Sequence, residues 1–533
     1  MNDKQQVYVL PENVQRMLGQ DAQRNNILAA RIVADTVKTT LGPKGMDKML
    51  VDSSGDIIIT NDGVTILEEM EIEHPAAKMM VEIAKTQENE VGDGTTTAVM
   101  YAGKLLENAE KLLDKKIHPT VIVKGYQMAA DKSIEILNEI AARITTDDEK
   151  SLMQIAITSM TGKGVESLKE KFAEIIVSAV KQIEDLGKVD LTNIKIEKIK
   201  GDSTNDTELI SGIVLDSEKL NIGMPKHITN ARIALLDLPL ELKSPEIDTK
   251  ISISSPEQLR GFIESEERLL KEMIEKIKNS SANVVFCQKG IDDIAQYYLT
   301  KNKIYSCRRV SKSDMEKLAM ATGGKIISNL NDLNLEDLGS SKSIEEIKKG
   351  ENIMTYINGC INPKALTIII RGGSEHVIDE TERAIKDGLG DVAAVLKDGM
   401  IVAGGGAVEI ELAKRLREFS VSLSGREQLA VEEFANAIEC IPITLSENAG
   451  LDPIDILAEL KSAHEEGKKN FGLNLFLNKI EDTKEAGIIE PLKVKTQAIS
   501  SASEVANMIL RIDDVIASRK SNNQSGNPGM GYD

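Results

Sequence analysis

Apolar residues recur at the spacing of amphipathic helices along both ends of the chain. Residues 13–40, 76–90 and 98–113 each carry an apolar side chain every three or four positions, which predicts three helices. The pattern continues to about residue 145 and returns from about 408 to about 518. Both ends of the chain are therefore expected to be largely helical.

The middle of the chain has a different pattern, in which short apolar runs alternate with helical stretches. Runs typical of strands cover Ile194–Ile199, Ile233–Leu236, Val284–Cys287, Ile304–Ser306, Lys325–Ser328 and Ala365–Arg371. After a transitional region over 146–217, this alternation predicts an α/β unit over residues 218–368. Within it, a polar segment over 242–254 precedes a helix expected to run from Ser255 to about Asn279. The apolar stripe of that helix is compatible either with covering a core or with a binding patch.

The segment Val91–Thr97, with the sequence Val-Gly-Asp-Gly-Thr-Thr-Thr, separates two of the predicted helices. Glycine tolerates positive φ and lets a ligand approach the backbone, and the following helix offers unpaired N–H groups and the positive end of its dipole. This combination is typical of a phosphate site. Because Asp93 would repel phosphate, it is predicted to hold a hard cation bound to that phosphate. The segment alone is equally compatible with a turn followed by a threonine N-cap.

Two further acids and one lysine complete the candidate chemistry. A hairpin predicted from Met49–Asp52 and Ile57–Thr60 leads into a turn that exposes the Asp62 carboxylate. Asp387 lies within a predicted helix, and Lys163 lies in another predicted helical stretch. Phosphoryl transfer to water requires a cation on the phosphates, backbone donors and a carboxylate that orients the water. Taken singly, each of these three residues is also compatible with a solvated surface charge.

Two common nucleotide motifs are not matched. A Walker A loop ending at Lys163 would need glycine at Ile157 and a hydroxyl residue at Gly164. The run Gly404-Gly405-Gly406 does not extend to a dinucleotide fingerprint, because Glu409 occupies the place of the last glycine. The three glycines remain compatible with a tight strand-to-helix turn or with a close approach to a ribose.

Length and composition exclude several classes of protein. A chain of 533 residues predicts roughly two to four domains. It has no apolar stretch of 18 residues, and its N-terminus lacks the pattern of a secretory signal, so neither membrane insertion nor secretion is expected. The net charge of −20 and the 3% aromatic content disfavour nucleic-acid binding. Four scattered cysteines predict reduced thiols in a cytosol and no zinc site.

Five spaced motifs decide among these possibilities. They are Thr40–Lys48 (TLGPKGMDK), Thr60–Leu67 (TNDGVTIL), Val91–Thr97 (VGDGTTT), Ala403–Glu409 (AGGGAVE) and Glu490–Gln497 (EPLKVKTQ). Together they closely resemble the chaperonins, specifically a group II, thermosome-type subunit of the archaeal kind. The resemblance runs from about residue 7 to 518 and departs from the family mainly at Lys386 and Gly388, where His and Ala are more usual.

The resemblance implies a multidomain α and α/β chaperonin fold in which the domains are nested along the chain. The implied boundaries are 1–145 and 404–520 for a mostly helical equatorial ATPase domain, 146–217 and 369–403 for a small α/β intermediate domain, 218–368 for an α/β apical domain with a helical protrusion at about 242–279, and 521–533 for a disordered tail. The protrusion would serve as a built-in lid.

The resemblance also assigns site residues. Nucleotide contacts are implied for Leu41, Gly42, Pro43, Gly92, Asp93, Gly94, Thr95, Thr96, Thr97, Lys163, Gly404, Gly405 and Glu490. Among these, Asp93 would ligate Mg²⁺, Lys163 would sense the γ-phosphate, and Gly405 and Glu490 would face the ribose and adenine. Asp62 and Asp387 would be the catalytic residues that position or activate the attacking water.

The implied function is that of an ATP-dependent molecular chaperone. ATP or ADP with Mg²⁺ would be the cofactors, with K⁺ a further candidate cation. The subunit would join itself or paralogous subunits in a two-ring hexadecamer or similar cage that encloses non-native proteins in the cytoplasm, without a separate lid co-chaperonin, nucleic acid or membrane. The alternatives are a nucleotide-binding ring scaffold without significant hydrolysis and a small-molecule kinase.

Overall fold

The computed structural model describes residues 14–51, 54–185, 187–241, 256–349, 352–361 and 363–518. The chain forms two compact units. The first unit combines the described residues up to Ile144 with those from Met400 onward, and the second is formed by Thr145–Gly399. The first unit is thus assembled from both ends of the chain.

The first segment of the first unit is mainly helical. In chain order it contains β1 (Val14–Leu18), α1 (Gly19–Lys38), β2 (Lys48–Val51), β3 (Ile57–Thr60), α2 (Gly63–Glu69), α3 (Pro75–Glu90), α4 (Thr95–Asp114), α5 (Pro119–Ile140) and β4 (Ala142–Arg143).

The second unit alternates strands and helices. In chain order it contains α6 (Glu149–Met160), α7 (Lys169–Ile183), β5 (Ile194–Lys200), β6 (Glu208–Ile210), β7 (Gly212–Leu215), β8 (His227–Leu236), α8 (Pro256–Asn279), β9 (Val284–Cys287), α9 (Asp293–Lys301), β10 (Tyr305–Cys307), α10 (Lys312–Thr322), β11 (Ile326–Ile327), β12 (Gly339–Lys349), β13 (Asn352–Asn358), β14 (Leu366–Gly372) and α11 (Glu375–Asp398).

The chain then returns to the first unit. Its last elements are β15 (Met400–Ala403), α12 (Ala407–Ser422), α13 (Glu427–Ile438), α14 (Cys440–Asn448), α15 (Pro453–Glu465), β16 (Phe471–Asn474), β17 (Lys479–Asp482), β18 (Ile489–Pro491), α16 (Leu492–Leu510) and β19 (Asp514–Ser518).

Helix α4 is the centre of the first unit. It is apolar on nearly every side and packs against α1, α3, α13 and α16, as expected of a helix buried in a core. Gly103 permits close approach to α1, since a Cβ at this position would lie 2.4 Å from the Cβ of Ala34. The N-terminus of α4, which follows the Gly-Asp-Gly-Thr segment, is therefore held by a helix in the core of the unit.

The helix expected over residues 13–40 begins later than predicted. Residues Val14–Leu18 form β1, which pairs antiparallel with β19, and Leu18 lies opposite Asp514. The prediction was wrong for this segment because the pairing partner lies at the other end of the chain. From Gly19 onward the predicted helix is confirmed as α1.

The largely helical region expected from about 408 to about 518 also contains strands. β16 and β17 form a hairpin in which Phe471 lies opposite Asp482, and β18 joins a three-stranded sheet with β15 and β4. β15 falls within the segment 369–403 that the resemblance assigns to the intermediate domain, although its strand partners β18 and β4 belong to the first unit. The hairpin predicted near the N-terminus is confirmed as β2 and β3.

The described strands of the second unit form two sheets. The larger has the order β10-β9-β8-β12-β13-β7, with β11 beside β8, and the smaller has the order β5-β14-β6. All six predicted strands are present, and Val284–Cys287 matches β9 in both bounds. Because β7 pairs with β13 and β14 pairs with β5 and β6, the expected boundaries at 217/218 and 368/369 do not follow the sheets. The division into three domains stays a prediction.

Helix α8 buries one face of its C-terminal half. Leu270, Ile274 and Ile277 lie in an apolar cluster with residues of β9 and α9, whereas the neighbouring Leu269 is 52% exposed. This part of the stripe covers a core. The polar segment 242–254 and the tail 521–533 lie outside the described residues, so the lid and the disordered tail stay predictions.

Replacing Phe434 with alanine should destabilise the first unit. Phe434 is fully buried and packs edge-on against Tyr126, with ring centroids 5.6 Å apart. Removing a buried aromatic ring of this size costs about 3–5 kcal/mol because a cavity remains. Thermal unfolding followed by circular dichroism should show an earlier transition. The exposed Phe476 is the matched control, and its replacement with alanine should leave the transition within about 1 °C.

Candidate functional site

The Gly-Asp-Gly-Thr segment forms an uncapped helix N-terminus. Gly94 is the N-cap of α4 in the left-handed conformation, with φ = 80°, and among the described residues no side-chain hydrogen bond caps this end. A Cβ on Gly94 would lie 2.6 Å from Cγ1 of Val494 and 3.1 Å from Nε2 of Gln87. Glycine is therefore required for both its conformation and its small size. The first N–H groups of the helix have no intrahelical acceptors and are available to an anion.

The Gln87 side chain forms hydrogen bonds with the backbone of this segment. Its side chain is fully buried at the end of α3, and Nε2 donates hydrogen bonds to the carbonyl oxygens of Asp93, at 2.8 Å, and Val494, at 3.2 Å. Gln87 thereby fixes the loop before α4 against the first turn of α16. The Asp93 side chain itself is half-buried, as a cation ligand facing solvent would be.

Asp62 lies beside the same helix N-terminus. Its carboxylate caps α2, with Oδ2 accepting hydrogen bonds from the backbone N and Oγ1 of Thr65 at 2.9 and 2.7 Å. The other oxygen, Oδ1, has longer contacts of 3.4 Å with Val64 N and Thr95 Oγ1. The short bonds orient the carboxylate, and Oδ1 retains the capacity to accept a stronger hydrogen bond from water.

Glu490 and the triple-glycine turn meet through a strand pair. Glu490 on β18 lies opposite Val402 on β15, and Gly404 follows β15. A Cβ on Gly404 would lie 2.8 Å from Glu490 Oε1, and one on Gly405, which has φ = 65°, would lie 2.7 Å from the carbonyl oxygen of Leu473. The turn therefore brings bare backbone next to the Glu490 carboxylate.

Helix α14 supports two glycine turns of the site. Asn448 Nδ2 donates a 2.9 Å hydrogen bond to the carbonyl oxygen of Leu41. Gly42 has φ = 80° and lies against Leu445, while Gly406 lies against Pro442. The turns at Leu41-Gly42-Pro43 and at Gly404–Gly406 are thus anchored to the same short helix.

The second unit brings Lys163 and Asp387 together. Lys163 follows α6, Asp387 lies on α11, and the Lys163 ammonium pairs with Asp387 Oδ2. Both side chains are largely buried. Gly388 lets α11 approach α6 and α7 closely, since a Cβ there would lie 2.6 Å from Ile176 Cδ1 and 3.3 Å from Ser159 Oγ. The glycine at this unusual position has a packing role beside Asp387.

The described contacts join most predicted site residues of the first unit. Asp62 meets the start of α4 through Thr95, and Gly63 lies against Thr96. The α4 loop is linked through Gln87 to α16, which follows directly after Glu490 on β18. Lys163 and Asp387 form a separate pair within the second unit.

Sequence reasoning missed three buried polar residues of this region: Gln87, Glu409 and Lys495. Each interrupts an apolar pattern. Gln87 falls on the helical face of Met80 and Ala84, and Glu409 stands between Val408 and Ile410. A polar residue at a position that the periodicity assigns to the core is a signal that could have found them.

The donor set fits Mg²⁺ bound together with phosphate. Among the described residues, no group of three or more His, Cys, Asp or Glu side chains could hold a metal ion. Mg²⁺ in nucleotide sites uses one or two carboxylates, with phosphates and waters as the other ligands. Asp93, half-buried beside the uncapped N-terminus of α4, would supply such a carboxylate.

Replacing Gln87 with leucine should weaken nucleotide binding. The change removes both hydrogen bonds and leaves the carbonyl oxygens of Asp93 and Val494 without this donor. A net loss of about 1 kcal/mol corresponds to a rise of about fivefold in the KM for ATP. Steady-state phosphate release as a function of ATP concentration measures it. Gln127→Leu, at an exposed position on α5, should leave the KM unchanged, and an unchanged KM in Gln87→Leu would contradict the assignment.

Comparison with known proteins decides the family. Residues 33–520 match the TCP-1/cpn60 chaperonin family. The chain belongs to this family. It is 59% identical over 522 residues to a thermosome subunit of Methanopyrus kandleri, covering 97% of this chain and 96% of the relative. It is also 59% identical over 531 residues to thermosome subunit beta of Archaeoglobus fulgidus, covering 99% and 97%.

The similarity confirms the expected group II, thermosome-type chaperonin and its multidomain fold. A third relative, a thermosome subunit of Pyrococcus horikoshii, is 57% identical over 520 residues, covering 97% of this chain and 95% of the relative. The chaperonin is accordingly a molecular chaperone. In the part of the chaperonin that the structure describes, no helix has the length and apolarity needed to cross a membrane.

Proposed function

We propose that this chaperonin subunit binds and hydrolyses Mg-ATP to drive the folding of non-native proteins. The observation that carries the proposal is the uncapped N-terminus of α4, which has Asp93 in the preceding loop and Asp62 in contact with Thr95. Backbone N–H groups of this terminus, with Gly92, Gly94 and Thr95–Thr97, would hold the phosphates. When bound, Mg²⁺ would neutralise phosphate charge and polarise the terminal phosphoryl group.

Two carboxylates would act on the attacking water. Asp62 is oriented by its bonds to Thr65, so that Oδ1 can accept a proton or hydrogen bond from the water. Asp387 would position or activate the same water, and Lys163, with which it pairs, would respond to the charge of the γ-phosphate. A positioned carboxylate contributes about 10²–10⁴-fold to such a step.

The remaining predicted residues would recognise the nucleoside. Gly404 and Gly405 present backbone beside the Glu490 carboxylate, which can accept hydrogen bonds from ribose hydroxyls. The turn Leu41-Gly42-Pro43, anchored by Asn448, would form another wall. Bare glycine backbone at both turns leaves room for a flat or ring-shaped group.

The proposal includes assembly with itself or with paralogous subunits into a two-ring particle of the thermosome kind. The Archaeoglobus fulgidus relatives are named thermosome subunit alpha and subunit beta, and this chain is 56% and 59% identical to them. A closed chamber would separate a non-native guest from other chains whose exposed apolar surface would aggregate with it. The lid at about 242–279 and the absence of a separate lid protein are parts of this proposal.

A cytoplasmic location is supported by the thiols. Cys287, Cys307, Cys360 and Cys440 are all free and buried. Burial raises the pKa of the Cys287 and Cys360 thiols to about 11 and of the Cys307 and Cys440 thiols to about 12. Such thiols are protonated and unreactive at neutral pH, as suits a reducing compartment.

Phosphate release by the purified chain tests the proposal. Hydrolysis should require Mg²⁺, stop with EDTA, and accompany the refolding of an aggregation-prone guest. Size-exclusion chromatography should show a particle near a megadalton, while a monomer or dimer would favour a small-molecule kinase. Tight ATP binding without phosphate release would instead support the alternative of a non-hydrolysing ring scaffold.

A further inference from the structure

Lys495 is buried between two carboxylates in the first unit. It lies in the first turn of α16, with its ammonium 2.9 Å from Glu409 Oε1 and 2.6 Å from Glu490 Oε2. The Lys495 side chain is 6% exposed and that of Glu409 is 1% exposed, whereas that of Glu490 is 24% exposed. Glu490 is therefore the member of this triad that reaches toward solvent, and the other two stand behind it.

Glu409 also accepts a hydrogen bond from a residue outside the triad. The Tyr101 hydroxyl on α4 donates a 3.1 Å hydrogen bond to Glu409 Oε1, and Tyr101 is fully buried. Within the described part of the chain, the other oxygen, Oε2, is buried and has no hydrogen-bond partner. A buried carboxylate with one unpartnered oxygen is costly unless a nearby cation compensates its charge. Lys495 supplies that charge.

The charges of the triad depend on one another. Burial raises the pKa of the Glu490 carboxyl, and Lys495 opposes this effect. Burial lowers the pKa of Lys495, but Glu409 and Glu490 outweigh it and raise the pKa above its usual value. Lys495 therefore stays charged, and its ammonium partly offsets the burial that raises the pKa of Glu490.

The triad of Lys495, Glu409 and Glu490 is also linked, through Val494 and Gln87, to the loop that carries Asp93. Val494, the neighbour of Lys495, accepts a hydrogen bond from Gln87, which also bonds the carbonyl oxygen of Asp93. Glu490 Oε2 is the oxygen that pairs with Lys495. The other oxygen, Oε1, lies beside Gly404. Lys495 thus fixes one oxygen of Glu490 and leaves the other directed at the glycine turn.

We propose that Lys495 and Glu409 are positioning residues that hold the Glu490 carboxylate in the orientation that accepts a hydrogen bond from the ribose of the bound nucleotide. The inference rests on the proposed ATP site. It assigns recognition of the ribose to the buried network of Glu409, Lys495 and Glu490. A salt bridge that served only stability would not need a partner at the solvent edge of the site.

Sugar discrimination by the assembled full-length protein tests the inference. The double variant K495M/E409Q removes one positive and one negative buried charge together, which avoids leaving either unpaired. Wild-type protein should bind ATP at least about tenfold more tightly than 2′,3′-dideoxy-ATP, because a hydrogen bond to a charged group is lost with the hydroxyls. In the double variant this ratio should fall about tenfold toward one, and the fall should come from weaker binding of ATP. K495Q/E409Q, which keeps polar groups, should change in the same direction if the first variant fails to assemble.

Epistasis with Glu490 separates positioning from a structural role. E490Q should itself lose the discrimination, and adding K495M/E409Q to E490Q should reduce it no further. The matched control is K461M/E439Q, which removes another lysine–glutamate pair, 2.9 Å apart, from the same unit, and it should keep the wild-type ratio. An unchanged ratio in K495M/E409Q, or a further loss in the triple variant, would overturn the inference.

The outcomes also distinguish the inference from the proposed function. Wild-type protein that hydrolyses ATP without preferring it to the dideoxy nucleotide would overturn the role of Lys495 and Glu409 while leaving the ATPase intact. Wild-type protein that binds no ATP would overturn both.

Discussion

Asp387→Ala is expected to bind ATP normally and to release phosphate at least about 100-fold more slowly than the wild-type protein. The carboxylate is the proposed base for the attacking water, and removing such a group costs about 10²–10⁴-fold in rate. The side chain is in the second unit, where it pairs with Lys163, and the substitution leaves the Gly-Asp-Gly-Thr segment itself unchanged. Single-turnover phosphate release and equilibrium ATP binding together measure the effect.

The helix that carries Asp387 offers a matched control. Asp379 also lies on α11, is 41% exposed, and pairs with Lys198 at 3.0 Å. Asp379→Ala should keep wild-type turnover, whereas Asp387→Asn, which preserves size and removes the charge, should be as slow as Asp387→Ala. Turnover near the wild-type rate in both Asp387 variants would show that this acid is not catalytic.

Gly94→Ala should reduce ATP affinity by at least tenfold and lower the thermal stability of the first unit. A Cβ at this position meets Val494 at 2.6 Å while the residue is held at φ = 80°. Left-handed φ costs a non-glycine residue roughly 1–2 kcal/mol, and relief of the contact would displace the loop that orients Asp93. Isothermal titration with Mg-ATP and thermal unfolding measure the two effects.

A second glycine, Gly450, distinguishes the cost of the left-handed backbone conformation from the cost of the steric contact. Gly450 has φ = 71°, and a Cβ there would meet nothing within 4 Å. Gly450→Ala should therefore show the cost of the backbone conformation without any loss of ATP affinity. If Gly94→Ala bound Mg-ATP as tightly as Gly450→Ala does, the close fit of the loop against Val494 would be irrelevant to nucleotide binding.

Local patterns predicted the elements that depend on neighbouring residues. The periodicity of the α4 region and the Gly-Asp-Gly-Thr segment predicted a helix N-terminus, and the structure has one at Thr95. Its use as a phosphate site stays a prediction. The strand Val284–Cys287 was predicted to the residue because a short apolar run between helices has few alternatives. The five motifs indicated the chaperonin family, which the family match over residues 33–520 confirms.

Predictions failed where the specifying contact is distant in sequence. Val14–Leu18 continued an apolar pattern typical of a helix, yet it forms a strand because Asp514–Ser518 supplies its hydrogen bonds. β16 and β17 were missed for a related reason, since a two-stranded hairpin is only marginally stable alone. Here the Leu473 N–H donates a hydrogen bond to the carbonyl oxygen of Gly405, which is distant in the sequence. Tertiary context overrides local propensity in such short segments.

The amino-acid sequence by itself determined which residues are candidates for the chemistry, namely glycines, threonines and acids in and beside the predicted elements. Only the tertiary structure decided how they are held. Gln87 bonds the Asp93 backbone, and Lys495 lies between Glu409 and Glu490, because three helices and a strand from distant parts of the chain meet there. Local periodicity reports which face of an element is buried, whereas the partner of a buried charge depends on which elements pack together.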